Sequence, residues 1–167
     1  MRVWAVANQK GGVGKTTSTV SLGGLLAEQG HKVLLIDLDP HGSLTSYFGY
    51  DPDSLSSSSY QLFQGEANKR ADDVLSLVSG TSVPGLSIMP TSPALATVER
   101  QMTGKDGMGL RVNKALQSID GTFDYVLLDC PPVLGVLMIN ALAACEKLIV
   151  PVQTEFLALK GLERMTR

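Results

Sequence analysis

Short runs of apolar residues recur along the chain, and the segments between them carry apolar residues at helical spacing. Each run has the length of a buried strand. The runs occupy residues 3–7, 32–36, 86–90, 125–129 and 147–152. Helices are predicted at 92–102, at 110–119, at 136–144, and after the first run, where Val20, Leu22, Leu25 and Leu26 precede a stop at Gly30. This alternation predicts an α/β fold, a doubly wound and mostly parallel sheet with helices on both faces.

The segments that break this alternation are assigned to loops and to the chain end. Residues 51–59 are rich in serine and predict a surface loop, in which Ser54 could cap a short helix. Residues 60–78 are helical in parts, with Gly65 as a break. Residues 156–167 begin a helix that has no capping residue. We therefore expect a chain that lacks its C-terminal third; a short frayed terminal helix is the alternative.

Size and charge place the chain among single globular domains. With 167 residues, 44% of them hydrophobic, it suits one domain over residues 1–167. The formal net charge of −2 gives no global attraction to nucleic acid or acidic lipid. No apolar run approaches the ~18 residues of a membrane span, and no signal peptide is recognised. The two cysteines, Cys130 and Cys145, form no metal-binding pair, so a reduced cytoplasmic protein is expected.

The strongest chemical signal follows the first predicted strand. Residues 10–17 read Lys-Gly-Gly-Val-Gly-Lys-Thr-Thr, which is the pattern G-x-x-x-x-G-K-[ST] with Gln9 at the first glycine and an extra lysine at position 10. Glycines let backbone N–H groups close around phosphate oxygens, and the following helix directs its positive end at the same anion. Lys15 is expected to contact the β- and γ-phosphates, and Thr16 to ligate Mg²⁺.

Acidic residues follow two other predicted strands. The second strand leads into Asp37-Leu38-Asp39-Pro40-His41-Gly42, at the edge of the sheet where ligands bind in this fold class. For Asp37, a turn and a site residue remain equally open. Asp39 could orient the attacking water and reach the metal through water. Asp129 follows four residues of the strand that begins at Tyr125, which is the Walker B arrangement for an acid that holds Mg²⁺ through water.

These motifs together resemble one family. Residues 10–17, 37–42, 127–132 and 149–155 are similar to those of the ParA/MinD family of deviant Walker ATPases, and most similar to its ParA, or partitioning, branch. The resemblance spans the whole chain but only the N-terminal two-thirds of a typical member. It implies a P-loop NTPase fold, Mg²⁺-dependent ATP hydrolysis and an ATP-dependent homodimer. Family members usually carry Gln where this chain has His41, so we expect His41 to lie in a surface turn.

The resemblance also implies a role for each matched residue. The nucleotide would be bound by Gly11, Gly12, Val13, Gly14, Lys15, Thr16, Thr17, Pro151 and Gln153. The metal would be served by Thr16, Asp37, Asp39 and Asp129. Catalysis would depend on Lys15, on Asp39 as the residue that positions water, and on Lys10, which would contact the phosphates held by the partner subunit. A cation delivered in this way stabilises charge that develops during phosphoryl transfer.

Three function classes fit these residues. The first is a partitioning ATPase that binds nonspecific DNA as a scaffold and is released when a partner protein stimulates slow hydrolysis. The second is a MinD-like ATPase that acts on a membrane surface. The third is a metabolic ligase or iron-sulfur carrier of the same superfamily, which the absence of a CxxC pair disfavours in its iron-sulfur form. The cargo is not encoded in these residues. Arg111 and Lys114 are expected on a solvated helix face.

Overall fold

The computed structural model describes residues 1–154 and 156–167, and these residues fold into a layered α/β structure. The strands are β1 (Arg2–Val6), β2 (Val33–Asp37), β3 (Ser79–Gly80), β4 (Leu86–Met89), β5 (Tyr125–Asp129) and β6 (Lys147–Ile149). The helices are α1 (Lys15–Glu28), α2 (Ser43–Tyr47), α3 (Ala71–Leu75), α4 (Leu95–Met102), α5 (Arg111–Ser118), α6 (Val136–Ala144) and α7 (Phe156–Met165). Two 3₁₀ turns lie at Ser59–Phe63 and Met108–Leu110.

The strands form one sheet in the order β3-β4-β2-β5-β1-β6. Every pair is parallel except β3 with β4, which is antiparallel. Val6, Asp129 and Asp37 are aligned across β1, β5 and β2. The predicted doubly wound sheet is therefore confirmed, and its alignment places the loop after β1 beside Asp129, with Asp37 one strand farther away.

Helices cover both faces of this sheet, because alternate strand residues point in opposite directions. On one face, Ala5, Leu34 and Leu128 lie in the larger buried cluster, with residues of α3, α4, α5 and α6. On the other face, Leu35 and Leu127 pack with Ala27 of α1 and with partly buried side chains such as Trp4. The central strands are buried on both sides, which explains their nearly continuous apolar sequence.

Some predicted boundaries were wrong for local reasons. Ser54 caps no helix; Ser58 instead caps the 3₁₀ turn Ser59–Phe63 through a hydrogen bond from Tyr60 N. Helix α4 begins at Leu95 rather than at residue 92, and Ser92 accepts a hydrogen bond from Ala94 N in the preceding turn. The short strand β3 was not predicted, because its two residues, Ser and Gly, carry no strand signal.

No helix among the described residues is long and apolar enough to cross a membrane.

Candidate functional site

The loop between β1 and α1 forms an open cradle. Gly12 and Gly14 have positive φ angles of 70° and 88°, a region that glycine enters without steric cost. A Cβ atom placed on Gly11, Gly12 or Gly14 would meet no heavy atom within 4 Å. Gly14 precedes the first residue of α1, Lys15, so the helix directs its positive end into the cradle. An anion can therefore approach these backbone N–H groups closely.

A cavity of about 360 Å³ lies over this cradle. It is lined by Gly11, Gly12, Gly14, Lys15, Thr16, Thr17, Asp39, His41, Ser43 and Pro132. Val13, predicted to bind the nucleotide, is buried and does not line this cavity. Its burial points to a role in holding the loop against the core.

The two residues at the start of α1 connect the loop to its surroundings. Lys15 is buried, and its Nζ donates to the backbone oxygen of Lys10 at 3.2 Å. Thr16 Oγ1 donates to Asp129 Oδ2 at 2.8 Å. Thr19, one turn later, donates to the Lys15 backbone oxygen at 2.9 Å and lies 3.5 Å from Asp129 Oδ1. Sequence reasoning missed Thr19, whose only signal is its place three residues after Thr16.

Asp129 is a buried carboxylate at the end of a central strand. Its side chain is almost fully enclosed, with the residue 1% exposed. The pKa of Asp129 is raised from 3.8 to about 7, first by burial and then by the Asp37 carboxylate, whereas the Thr16 hydrogen bond and Lys15 lower it. A cation bound beside Asp129 would stabilise the ionised form.

Asp37 holds the polypeptide that follows β2. Its Oδ1 accepts from Asp39 N at 3.0 Å, and its Oδ2 accepts from Thr45 N at 3.0 Å and from Thr45 Oγ1 at 2.7 Å. Burial raises the pKa of Asp37 to about 6, although the Thr45 and Asp39 hydrogen bonds act against that rise. These contacts favour the turn interpretation of Asp37, and its metal role stays a prediction.

Asp39 and His41 lie in the turn that enters α2. Asp39 lines the cavity over the cradle, and its side chain is 16% exposed. Its Oδ1 accepts from the backbone N of His41 at 3.0 Å and contacts His41 Nδ1 at 2.9 Å. The His41 side chain is 81% exposed, as expected for a surface turn, but its ring faces the predicted catalytic carboxylate.

The segment after β6 is attached to the cradle through Asn8. Asn8 is buried, accepts from Lys10 N at 3.0 Å and donates to the Pro151 backbone oxygen at 2.8 Å. Gln153 contacts Lys10 Nζ and the Gly12 backbone oxygen, each at 3.4 Å. Pro151 and Gln153 thus lie near the cradle, whereas Glu155 falls outside the described residues. Asn8 was not predicted, because a single polar residue after a strand is an ordinary loop signal.

The donor set fits a magnesium nucleotide. Backbone N–H groups and Lys15 suit phosphate oxygens, and the Thr16 hydroxyl and the Asp129 carboxylate are hard oxygen ligands of the kind Mg²⁺ takes. Among the described residues, no group of three or more His, Cys, Asp or Glu side chains could hold a metal ion by itself. Mg²⁺ in phosphate sites uses one or two protein ligands together with waters and phosphate oxygens, so such a group is not needed.

A second cavity of about 420 Å³ adjoins the first and shares Asp39, His41 and Pro132 with it. Its other lining residues are mostly apolar, with Glu99 and Arg100 from α4; they are Pro40, Pro93, Ala96, Glu99, Arg100, Pro131, Val133 and Leu137. Glu99 Oε2 accepts from Leu137 N at 3.2 Å, which joins α4 to the first turn of α6.

The remaining predicted features lie apart from this site. Arg111 is half-buried, and its guanidinium donates to the Gly65 backbone oxygen at 2.8 Å, so it is only partly available on a solvated face. Cys130 is buried with a free thiol, and burial raises its pKa well above the usual range of a thiol. A buried neutral thiol is a packing residue, as expected from the sequence.

A protein-family model and named relatives all match nearly the whole length of the chain. A protein-family model described as an AAA domain matches residues 1–167. The chain is 38% identical over 164 residues to the sporulation initiation inhibitor protein Soj of Bacillus subtilis, and 41% identical over 169 residues to the chromosome partitioning protein ParA of Caulobacter vibrioides. It covers 63% and 61% of those proteins, while they match 98% and 100% of this chain.

A solved structure extends the comparison to three dimensions. A Mycobacterium smegmatis protein named cobyrinic acid a,c-diamide synthase, with a bound ATP analogue and magnesium, superposes with a TM-score of 0.90 at 42% identity. The match covers 100% of this chain and 66% of that protein. The fold of the chain is therefore that of a P-loop NTPase.

Proposed function

The chain belongs to the ParA/MinD family of deviant Walker ATPases, and from that membership we propose that it binds Mg²⁺ and ATP and hydrolyses ATP in a partitioning or positioning cycle. In this proposal a nucleotide-bound homodimer binds nonspecific DNA as its scaffold. A partner protein then stimulates slow hydrolysis in the cytoplasm, which releases the protein from the scaffold. Residues 1–167 act as one ATPase domain.

The hydrogen bond between Thr16 and Asp129, beside an open glycine cradle, is the observation that carries this proposal. It joins the first turn of α1 to the end of β5, so a hydroxyl and a carboxylate meet where the cradle ends. Mg²⁺, when bound, supplies charge neutralisation to the phosphates. Thr16 would ligate it directly, and Asp129 would hold one of its waters. Asp37 would act through its neighbour Asp129.

The other residues of the site would bind the phosphates and the base of the nucleotide. The backbone of Gly11, Gly12 and Gly14 and the side chain of Lys15 would hold the phosphates, with Thr17 at the α-phosphate. Lys15 Nζ now donates to the Lys10 backbone oxygen at 3.2 Å. When nucleotide binds, Lys15 Nζ would give up this hydrogen bond and donate to a phosphate oxygen instead. Pro151 and Gln153 would border the base.

Asp39 would position the attacking water, and Lys10 would act on the nucleotide of the partner subunit. The position of Asp39 supports this role, because Asp39 lines the cavity over the cradle and its carboxylate is partly exposed. Lys10 lies at the entrance of the loop and is solvent-exposed. Its ammonium group contacts Gln153 at 3.4 Å, a long hydrogen bond that a phosphate could replace.

Two variants test these roles. Lys10→Ala should bind ADP but fail to dimerise with a nonhydrolysable ATP analogue, as measured by light scattering coupled to size exclusion. Asp39→Ala should dimerise with ATP and lose about 10²-fold or more in turnover, because the attacking water is no longer oriented. Normal dimerisation of Lys10→Ala would remove Lys10 from the interface, and unchanged turnover of Asp39→Ala would remove Asp39 from the mechanism.

The scaffold is tested separately. Retention on nonspecific DNA with ATP but not with ADP is the expected result for a partitioning protein. Sedimentation with liposomes only in the presence of ATP would instead support the MinD-like alternative.

A ligase is the second candidate, favoured by the 42% identity to the M. smegmatis protein and by the second cavity beside the nucleotide cavity. Such an enzyme activates a substrate carboxylate with ATP. The described lining of that cavity is mostly apolar, with Arg100 as its one cation, which suits a large carboxylate poorly. Stimulation of ATP turnover by a small-molecule carboxylate with glutamine, and not by DNA, would select the ligase.

A further inference from the structure

We propose that His41 is a positioning residue that holds the Asp39 carboxylate in the orientation required for hydrolysis. The inference rests on the proposed function, in which Asp39 positions the attacking water. It goes beyond the family pattern, because family members usually carry Gln at this position and this chain carries a histidine. The observation that carries it is the 2.9 Å contact between His41 Nδ1 and Asp39 Oδ1.

The backbone turn holds Asp39 and His41 close to each other. Gly42 N donates to the Asp39 backbone oxygen at 3.0 Å, which closes a tight turn over Asp39, Pro40, His41 and Gly42. Gly42 has a φ angle of 73°, and a Cβ there would collide with Pro52. Pro40 restricts the preceding backbone further. The two side chains therefore project from a turn whose backbone is constrained.

Among the described residues, both hydrogen bonds that reach the Asp39 carboxylate use Oδ1. One comes from the His41 backbone N–H and the other from its ring. Two donors on one oxygen fix the rotation of the carboxylate about its terminal bond. Oδ2 is then the oxygen left to accept a hydrogen bond from water.

The position of the pair explains why this orientation matters. Asp39 and His41 both line the cavity over the cradle and both line the second cavity, so they stand at the boundary between the two. A carboxylate free to rotate here would turn either oxygen toward either cavity. The ring of His41 selects one rotamer of Asp39.

The chemistry of the contact predicts the tautomer of His41. A carboxylate oxygen accepts, so Nδ1 must carry the proton and donate. Asparagine places its amide nitrogen at the same distance from the backbone as Nδ1, whereas glutamine places its amide nitrogen at the position of Nε2. Asparagine at position 41 should therefore keep the contact, and glutamine should lose it.

The first test examines the ring without nucleotide. In ¹⁵N-labelled protein at about pH 8, where an ordinary histidine is neutral, long-range ¹H–¹⁵N spectra report the tautomer. His31 is the one other histidine, so His31→Gln assigns the signals. We expect the Nδ1–H tautomer for His41 and its loss in Asp39→Ala, which removes the acceptor. An Nε2–H tautomer that is unaffected by Asp39→Ala would overturn the proposal.

The second test measures turnover. His41→Ala should lower the kcat for ATP about 5-fold, the effect of one lost positioning hydrogen bond, with KM changed less than about 2-fold. His41→Asn should restore most of the lost rate, and His41→Gln should resemble His41→Ala. The melting temperature should stay the same in all three, because the backbone hydrogen bond to Oδ1 remains.

A double variant separates this inference from the proposed function. If His41 acts through Asp39, Asp39→Ala with His41→Ala should be no slower than Asp39→Ala alone. A further loss in the double variant, or wild-type kcat in His41→Ala, would overturn the role of His41 while the role of Asp39 stands. Wild-type turnover in Asp39→Ala would overturn the proposed role of Asp39 and, with it, this inference.

Discussion

Asp37 and Asp129 end neighbouring strands at aligned positions, yet their hydrogen-bond partners differ. Both oxygens of Asp37 accept hydrogen bonds from residues 39 and 45, which oppose the rise of its pKa to about 6 on burial. Asp129 accepts one hydroxyl hydrogen bond, from Thr16, and has a pKa raised to about 7. It is the acid whose ionisation a bound cation would favour most.

This difference predicts a pH dependence of metal binding. Because Asp129 must lose its proton to serve Mg²⁺, affinity for magnesium nucleotide should rise with pH through about 7, with protons released on binding. Calorimetry in two buffers of different ionisation enthalpy measures that release. Asp129→Asn should bind magnesium nucleotide weakly and release fewer protons. Binding by the wild-type chain that is independent of pH between about 5 and 8 would contradict the role of Asp129.

The same carboxylate predicts a change in the stability of the nucleotide-free protein. A raised folded-state pKa means that the native state binds the proton more tightly than the unfolded chain. The stability contribution is therefore complete below the ordinary value of 3.8 and is lost as the pH rises through about 7. Asp129→Asn should melt at a higher temperature than wild type above pH 7, and the gap should close near pH 4. A gap that widens toward low pH would show that the sign is wrong.

At the scale of elements, the junction of α4 with α6 shapes the loop that follows Asp129. The Glu99 carboxylate accepts from Leu137 N and lies over Gly135, where a Cβ would overlap it. Gly135 has a φ angle of −135°, so this glycine is needed for space and not for a left-handed backbone. Neither residue stands out in the sequence, because a helix-capping partner that is distant along the chain leaves no local pattern.

Gly135→Ala should therefore destabilise the protein by about 1–3 kcal/mol, as expected for an overpacked site. In the background of Glu99→Ala the penalty should largely disappear, because the colliding carboxylate is gone. Gly24→Ala is the matched control: Gly24 lies inside α1 with open space around its Cβ position, and alanine there should stabilise by about 0.5–1 kcal/mol. Denaturant unfolding measures all four variants. An equal loss from Gly135→Ala with and without Glu99 would refute the collision.

Elements that depend on local sequence were predictable, and those decided by distant partners were not. The limits of β5 and α6 match the predicted ranges, because each is a nearly continuous apolar run bounded by polar residues, glycine or proline. Strand β6 is shorter than predicted and ends at Ile149, because its partner β1 ends at Val6, where the cradle begins. Lys15, Thr16 and Asp129 were singled out from motifs, and the structure brings them together at the cradle, while their roles stay predictions. Asn8, Thr19 and the Glu99 contact depend on tertiary neighbours.

At the scale of the whole molecule, the parallel alignment of β1, β5 and β2 brings their carboxyl ends to one edge of the sheet. The cradle, the turn of Asp39 and Pro132 then line one cavity, and Asp129 hydrogen-bonds to Thr16 of the cradle across 113 residues of sequence. A ligand in that cavity would contact three separate segments at once. Its binding energy would therefore stabilise the folded chain as a unit.

A nonhydrolysable ATP analogue with Mg²⁺ should raise the melting temperature of the wild-type chain. At a hundredfold excess over Kd the expected stabilisation is about 2.7 kcal/mol, or roughly 5–11 °C for a chain of this size. Lys15→Ala should remove most of this shift, because the phosphates lose their buried cation. Leaving out Mg²⁺ should reduce the shift in the wild type and change little in Asp129→Asn. Equal shifts in wild type and Lys15→Ala would place the nucleotide outside the cradle, and the function proposed for this chain would then lack its binding site.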